Sequence, residues 1–213
     1  MLGLGTGYTQ SEHGAIGMLL RDPAPRVDRF EESVIVVRSL LDTGAAQFEG
    51  EHHRVAVEDL GVRPIQQHVP LLIGGHGKRV VGIAARHADI FQFTGLTHGE
   101  DGTPAPGGFA IDEVRERSRW LADGAGDRLV DIECSALVQL TYIGAGADDE
   151  LQSTVERFGM NAESIDGTPF VLIGSAEQVV DKLERLRADV GISHYVVRDP
   201  EGFAPVVAAL KGR

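Results

Sequence analysis

The sequence predicts an α/β fold built on parallel strands. Three observations carry that expectation. Extended runs alternate with helical patterns along the chain, as βα units on a parallel sheet require. Leu71-Leu72-Ile73 is continuously apolar, as in a strand buried on both faces. That run ends in glycines, and a helical pattern follows at once.

Taken in order, Met1 to Tyr8 reads as a strand entering a Gly-rich turn, where small residues let a backbone or ligand come close. Ser11 to Gly17 reads as a short helical or irregular loop, punctuated by Asp22-Pro23-Ala24-Pro25. Val27, Phe30, Val34, Val37 and Leu41 share one helical face; Pro25 suits the start of that helix and Gly44 its end. Phe48 to Pro64 is a polar excursion, with Gly50-Glu51 as a hairpin turn. After the strand at Leu71, the positions Val80, Val81, Ala84, Ala85 and Ala88 repeat as in a helix. Asp89 to Thr94 is the next strand.

Leu96 to Gly108 is rich in Gly, Pro and Thr, a loop long enough to shape a substrate pocket. Ile111, Val114, Ser118 and Leu121 mark a helix ending near Gly124 and Gly126. Ile132, Cys134, Ala136, Val138, Leu140 and Tyr142 alternate, predicting one long strand from Asp131 to Ile143. Leu151, Val155 and Phe158 mark a helix, and Asn161 to Pro169 a turn-rich loop. Phe170 to Ile173 is a short strand. Ser175-Ala176-Glu177-Gln178 is a capping-box pattern for a helix that Gly191 ends. His194 to Val197 is the last strand and Phe203 to Leu210 the last helix. About five good parallel strands result.

The 213 residues suffice for a single domain, 1–213. A net charge of −12 without a basic run argues against nucleic acid or an anionic membrane as the main partner. Any phosphate must then be held locally. The single Cys134 excludes an internal disulfide and fits a reducing compartment. No apolar run reaches transmembrane length and no signal peptide is visible, so the cytoplasm is the expected location.

The stretch Gly74-Gly75-His76-Gly77-Lys78-Arg79 is the leading site candidate. Its glycines allow a tight turn with positive φ and close ligand approach. Backbone N–H groups at a helix start suit a phosphate, and Lys78 and Arg79 add positive charge. The same glycines also suit a bare strand-to-helix connection. Elsewhere, His52-His53 reads as solvated loop rather than a metal site, and His87 as a helix-end residue. Cys134 reads as a small apolar group, and Glu12 as a helix-start or ion-pair residue. No metal set and no nucleophile–base constellation stands out.

Leu4-Gly5-Thr6-Gly7-Tyr8 followed by Glu12-His13-Gly14-Ala15-Ile16-Gly17 resembles the fourth-strand region of the luciferase-like monooxygenase superfamily. Pro70 to Gly77 with Ala84 to Asp89 resembles its fifth-to-sixth strand segment. Ile173 to Val179 resembles a later helix start, and Gly191 to Tyr195 the run into the last strand. Gly-Gly-His-Gly-Lys-Arg is most similar to the subgroup using the deazaflavin coenzyme F420.

The resemblance implies a (β/α)8 TIM-barrel-like fold, incomplete, with strands corresponding to the fourth to eighth and the N-terminal third lacking. It implies hydride transfer between reduced F420, or alternatively flavin mononucleotide (FMN), and a small organic substrate. It places the cofactor phosphate on Gly74, Gly75, His76 and Gly77. Gly5, Thr6 and Gly7 would approach the ring or ribityl chain, with Ser11 as a polar contact. The early-strand acid/base residues have no counterpart, so the catalytic residues stay unassigned. The alternatives are an FMN-dependent monooxygenase, or a non-catalytic flavin-binding or homodimeric remnant of the same fold.

Overall fold

The computed structural model describes residues 1–98, 104–105 and 107–211. In chain order the strands and helices are β1 Leu2–Leu4, α1 Gln10–Ala15, α2 Pro23–Thr43, β2 Ala46–Glu49, β3 Arg54–Val57, β4 Leu71–Gly74, α3 Lys78–His87, β5 Ile90–Phe93, β6 Thr97–His98 and β7 Pro104–Ala105. They continue with α4 Ile111–Ala125, a 3-10 turn Gly126–Asp131, β8 Glu133–Leu137, β9 Leu140–Ile143, α5 Ala147–Phe158, α6 Ala162–Gly167, β10 Val171–Gly174, α7 Ala176–Val190, β11 Ile192–Val196 and α8 Pro200–Leu210. The expected α/β class holds: the main sheet has five strands, in the order β1-β4-β5-β8-β11. The pocket-shaping loop read at Leu96–Gly108 lies largely outside the described residues.

The chain divides into two compact units. The first comprises residues 1–91, 98–105 and 121–132. In it, β1 and β4 run parallel with Leu2 opposite Leu71 and Leu4 opposite Ile73. Helix α2 buries Phe30 and Val34, and α3 buries Val80, Val81, Ile83, Ala84 and Ala85. Leu71 and Ile73 are fully buried beside them. Helix α2 ends where the sequence predicts: Gly44 takes the left-handed conformation at φ 68° and returns its N–H to Leu40 O. The hairpin β2–β3 also forms as expected, antiparallel with Ala46 opposite Val57.

That hairpin closes on a side chain. The Glu32 carboxylate of α2 accepts the N–H groups of Glu51, His52 and His53 at 2.8, 2.9 and 2.7 Å. A Cβ on Gly50 would stand 2.5 Å from Glu32 Cδ, so a side chain there would push the Glu32 carboxylate away from the hairpin. The C-terminus of α3 is met by Arg128, whose guanidinium donates to Ala85 O at 2.5 Å and Ala88 O at 2.8 Å.

The second unit comprises residues 92–97, 106–120 and 133–213. Its core joins Val138, Leu172, Val179, Val180, Leu183, Phe203 and Val206. The capping box forms in full: Ser175 accepts from Gln178 N, and the Gln178 side chain accepts from Ser175 N. Two expectations need correction here. The stretch from Asp131 to Ile143 is not one strand but β8 and β9, which serve different sheets. Val138 N still bonds Val196 O beside β11 at 2.9 Å, whereas Gln139 N bonds Phe170 O ahead of β10 at 2.7 Å. Leu140 to Ile143 then pair in parallel with Val171 to Gly174. The segment from Asn161 to Pro169 is not merely a loop, because Asn161 Oδ1 accepts from Ser164 N at 2.7 Å and starts α6.

Candidate functional site

Two glycine turns leave the C-terminal ends of neighbouring strands in the first unit. Because Leu4 stands opposite Ile73 in the parallel ladder, Gly5 follows β1 at the height where Gly74 ends β4. The turn after β1 needs its last glycine for two reasons. Gly7 has φ 76°, and a Cβ there would come within 2.8 Å of His13 Cε1. His13 is fixed by its Nδ1, 2.8 Å from Thr9 O.

The turn after β4 differs from the expectation: none of Gly74, Gly75 and Gly77 has a positive φ. Gly75 is required by packing, since its Cβ would meet Val80 Cγ1 at 2.7 Å. Gly77 sits before α3 in extended conformation, φ −77° and ψ 142°, and gives that helix start no side-chain cap. A Cβ on Gly5 or on Gly77 meets no atom within 4 Å. Open space thus borders both turns, the property that lets a ligand approach a backbone.

The other sequence candidates separate. His76 is half-buried, Lys78 is exposed, and Ser11 is exposed on α1. The Arg79 guanidinium hydrogen-bonds Asp28 and, at 3.4 Å, Ala24 O, so its charge is met from α2. Lys78 and Arg79 border a shallow hollow with Glu31, Gly82, Ile83 and Arg86. His53 Nε2 pairs with Ser33 Oγ at 2.8 Å. Among the described residues no group of three or more His, Cys, Asp or Glu side chains is placed to hold a metal ion. Cys134 is buried, and burial pushes its thiol up to about 11.

A cleft of about 230 Å³ opens beside the first turn. Gly5 and Thr6 line it, joined by His13, Arg26, Arg29 and Ser33, with Leu4 and Phe30 among its apolar contributors. Neither Arg26 nor Arg29 stands out as a site residue in the sequence. The signal that finds them is their spacing: residues 26, 29 and 33 recur at i, i+3 and i+7 along one helical stripe.

Behind the turns, Asp89 ties α2 to the sheet. Its Oδ2 accepts from Arg38 Nη2 at 2.6 Å and Leu71 N at 2.7 Å, and its Oδ1 lies 2.8 Å from His68 Nε2. Burial raises the Asp89 pKa, but those hydrogen bonds outweigh it and hold the carboxyl below its ordinary range. At the end of α3, burial and the neighbouring Arg86 charge lower the pKa of His87.

Comparison with known proteins agrees with this fold. Residues 1–119 match the family model of luciferase-like monooxygenases. The pyrimidine monooxygenase RutA of Cronobacter turicensis is 27% identical over 160 residues, which is 70% of this chain and 40% of that protein. The chain therefore spans less than half the length of that curated relative. Among solved structures, an F420-dependent secondary alcohol dehydrogenase in complex with an F420–acetone adduct aligns with a TM-score of 0.66 at 17% identity, over 96% of this chain and 66% of that one. A riboflavin lyase with modified FMN and riboflavin aligns with a TM-score of 0.62 at 15% identity, over 95% and 61%. Among the described residues, no helix is long and apolar enough to cross a membrane.

Proposed function

The chain belongs to the luciferase-like monooxygenase family, and from that premise we propose an oxidoreductase that binds coenzyme F420, or alternatively FMN, across the turns that follow β1 and β4. One observation carries the reading: the parallel register of Leu4 with Ile73 sets two glycine turns side by side. The residues present fit the group. Gly5 and Gly77 face open space, and the α3 start has no side-chain cap, which suits a phosphate on backbone N–H groups.

When bound, the deazaflavin or flavin supplies the hydride or oxygen chemistry. In this reading the chain holds and orients. Gly74, Gly75, His76 and Gly77 cradle the phosphate, and Lys78 adds charge to that turn. Gly5, Thr6 and Gly7 let the ring or ribityl chain lie against the backbone. The substrate is a small organic molecule, and the protein acts as a homodimer in the cytoplasm.

The test is an equilibrium titration of the chain with F420 and, separately, with FMN. We expect micromolar binding of one of them, about 8 kcal/mol. Gly5→Val and Gly77→Val place bulk in open space, so both are expected to abolish that binding with the circular dichroism spectrum unchanged. Undiminished binding in both variants would sink the assignment. A hydride-transfer assay on the loaded protein then separates turnover from binding alone.

A further inference from the structure

Helix α8 is committed on one side only. Phe203 and Val206 join the core of the second unit with Val179, Val180 and Leu183 of α7, and Ala209 and Leu210 pack at its margin. The other side, made of Glu201, Ala204, Pro205, Val207, Ala208 and Lys211, is exposed. From Gly202 to Leu210 no residue is charged, although 24% of the chain is. An outward helix face ordinarily carries charged and polar residues along its length. Here Val207 is 59% exposed, and the charges stand only at the two ends. A contiguous apolar face bounded by charges marks a contact surface.

The symmetry of the face points to what covers it. Glu201 and Lys211 stand equally far from Val206 along the helix, as do Ala204 and Ala208, and Pro205 and Val207. Turned end over end, the face repeats itself with its two charges exchanged. Laid antiparallel on a second copy, each Glu201 meets a Lys211 and each Ala204 an Ala208. A two-fold contact requires such self-complementarity, and an unrelated partner does not. Ala204 and Ala208, one turn apart, lie at the middle of the face, and side chains that short let two helix axes come close. Asp199 instead caps Gly202 N at 2.9 Å. Among the described residues neither Glu201 nor Lys211 forms an ion pair, so both end charges are available.

We infer that the outer face of α8 is a self-docking surface, taking α8 of a second copy antiparallel across a two-fold axis at the level of Val206. The inference rests on the homodimer reading above and supplies its surface. One short helix buries little area, so the pair is weak and forms with rising concentration.

The experiment is sedimentation equilibrium of the full chain over a range of concentrations at low ionic strength. A monomer–dimer equilibrium with a Kd on the order of 10–100 µM is expected. Ala204→Lys is expected to weaken it at least roughly tenfold by placing an unpaired charge in the contact, with the circular dichroism spectrum unchanged. Glu201→Lys and Lys211→Glu each bring like charges together and are expected to weaken it roughly threefold or more. The double variant Glu201→Lys with Lys211→Glu restores opposite charges and is expected to dimerise as the parent does. Val130→Lys, at an exposed apolar site elsewhere, is expected to leave the equilibrium unchanged. A parent that stays monomeric overturns this surface and the homodimer reading together, and leaves the face to a different partner. A dimer that Ala204→Lys leaves intact, that Val130→Lys weakens equally, or that the double variant fails to restore overturns the surface alone.

Discussion

Val80 Cγ1 lies 2.7 Å from the point where a Cβ on Gly75 would stand. Val80 is buried at the start of α3, so it has little room to retreat. Gly75→Ala is therefore expected to cost about 1–3 kcal/mol through overpacking. Gly77→Ser, two residues on, enters open space at a helix N-cap and is expected to be neutral or slightly stabilising. Thermal unfolding of the two variants checks this; equal shifts would contradict it.

Asp89 makes stability depend on acid. Its folded pKa lies below the ordinary 3.8, because its hydrogen bonds to Leu71, His68 and Arg38 overcome its burial. A depressed carboxylate contributes stability that is present above the unfolded pKa and is lost as pH falls through the folded one. Asp89→Asn is expected to lose about 1–3 kcal/mol at neutral pH. The gap to the parent should then close as pH drops below 3.8. Urea unfolding at neutral and acidic pH measures both; a gap that stays constant would remove Asp89 as the cause.

Lys182 acts at the other end of the scale. It is 4% exposed and donates to Ile165 O at 3.0 Å and Val171 O at 2.8 Å. Burial pulls its pKa down from 10.5 to about 8. Its contribution is thus fully present above 10.5 and is lost as pH falls through about 8. Between those values the parent should lose up to about 3 kcal/mol relative to Lys182→Met. Denaturant midpoints of both proteins across that window test it, and parallel curves would count against a buried ammonium.

Arg117 bridges two carbonyls far apart in sequence. Its Nη1 donates to Thr94 O at 2.9 Å and its Nη2 to Gly108 O, while its Nε donates to Glu113 O at 3.2 Å. The guanidinium also lies over the Phe93 ring, 5.6 Å from its centre. Burial lowers its pKa to about 10, which leaves it charged at neutral pH. Lysine has the charge without the fork, so Arg117→Lys is expected to destabilise by about 2 kcal/mol. An unchanged melting temperature would show that the fork is dispensable.

What was legible in the sequence was local. Gly44, Gly50 and the Ser175–Gln178 box are read from neighbours a few residues away, and each does what its type requires. The strand–turn–helix at Gly74 to Lys78 was legible for the same reason. The need for Gly75 was not, because Val80 shows as an obstacle only once α3 is built. The split between β8 and β9 was hidden because apolar alternation has the same period on either ladder, so Val138 and Gln139 give no sign of changing partners. The arginine cleft was hidden for a different reason. Arg26 and Arg29 look like ordinary surface charges until Asp28, Glu31 and Glu32 are seen to face other partners.

The handover at Val138 and Gln139 has a consequence for length variation. One continuous stretch answers to two ladders, so a slip of one residue in β8 against β11 drags β9 along β10 as well. Each alignment proofreads the other. Inserting a single residue at this point should be tolerated far less well than the same insertion in the exposed Gln66–Gln67 segment, where no ladder keeps count.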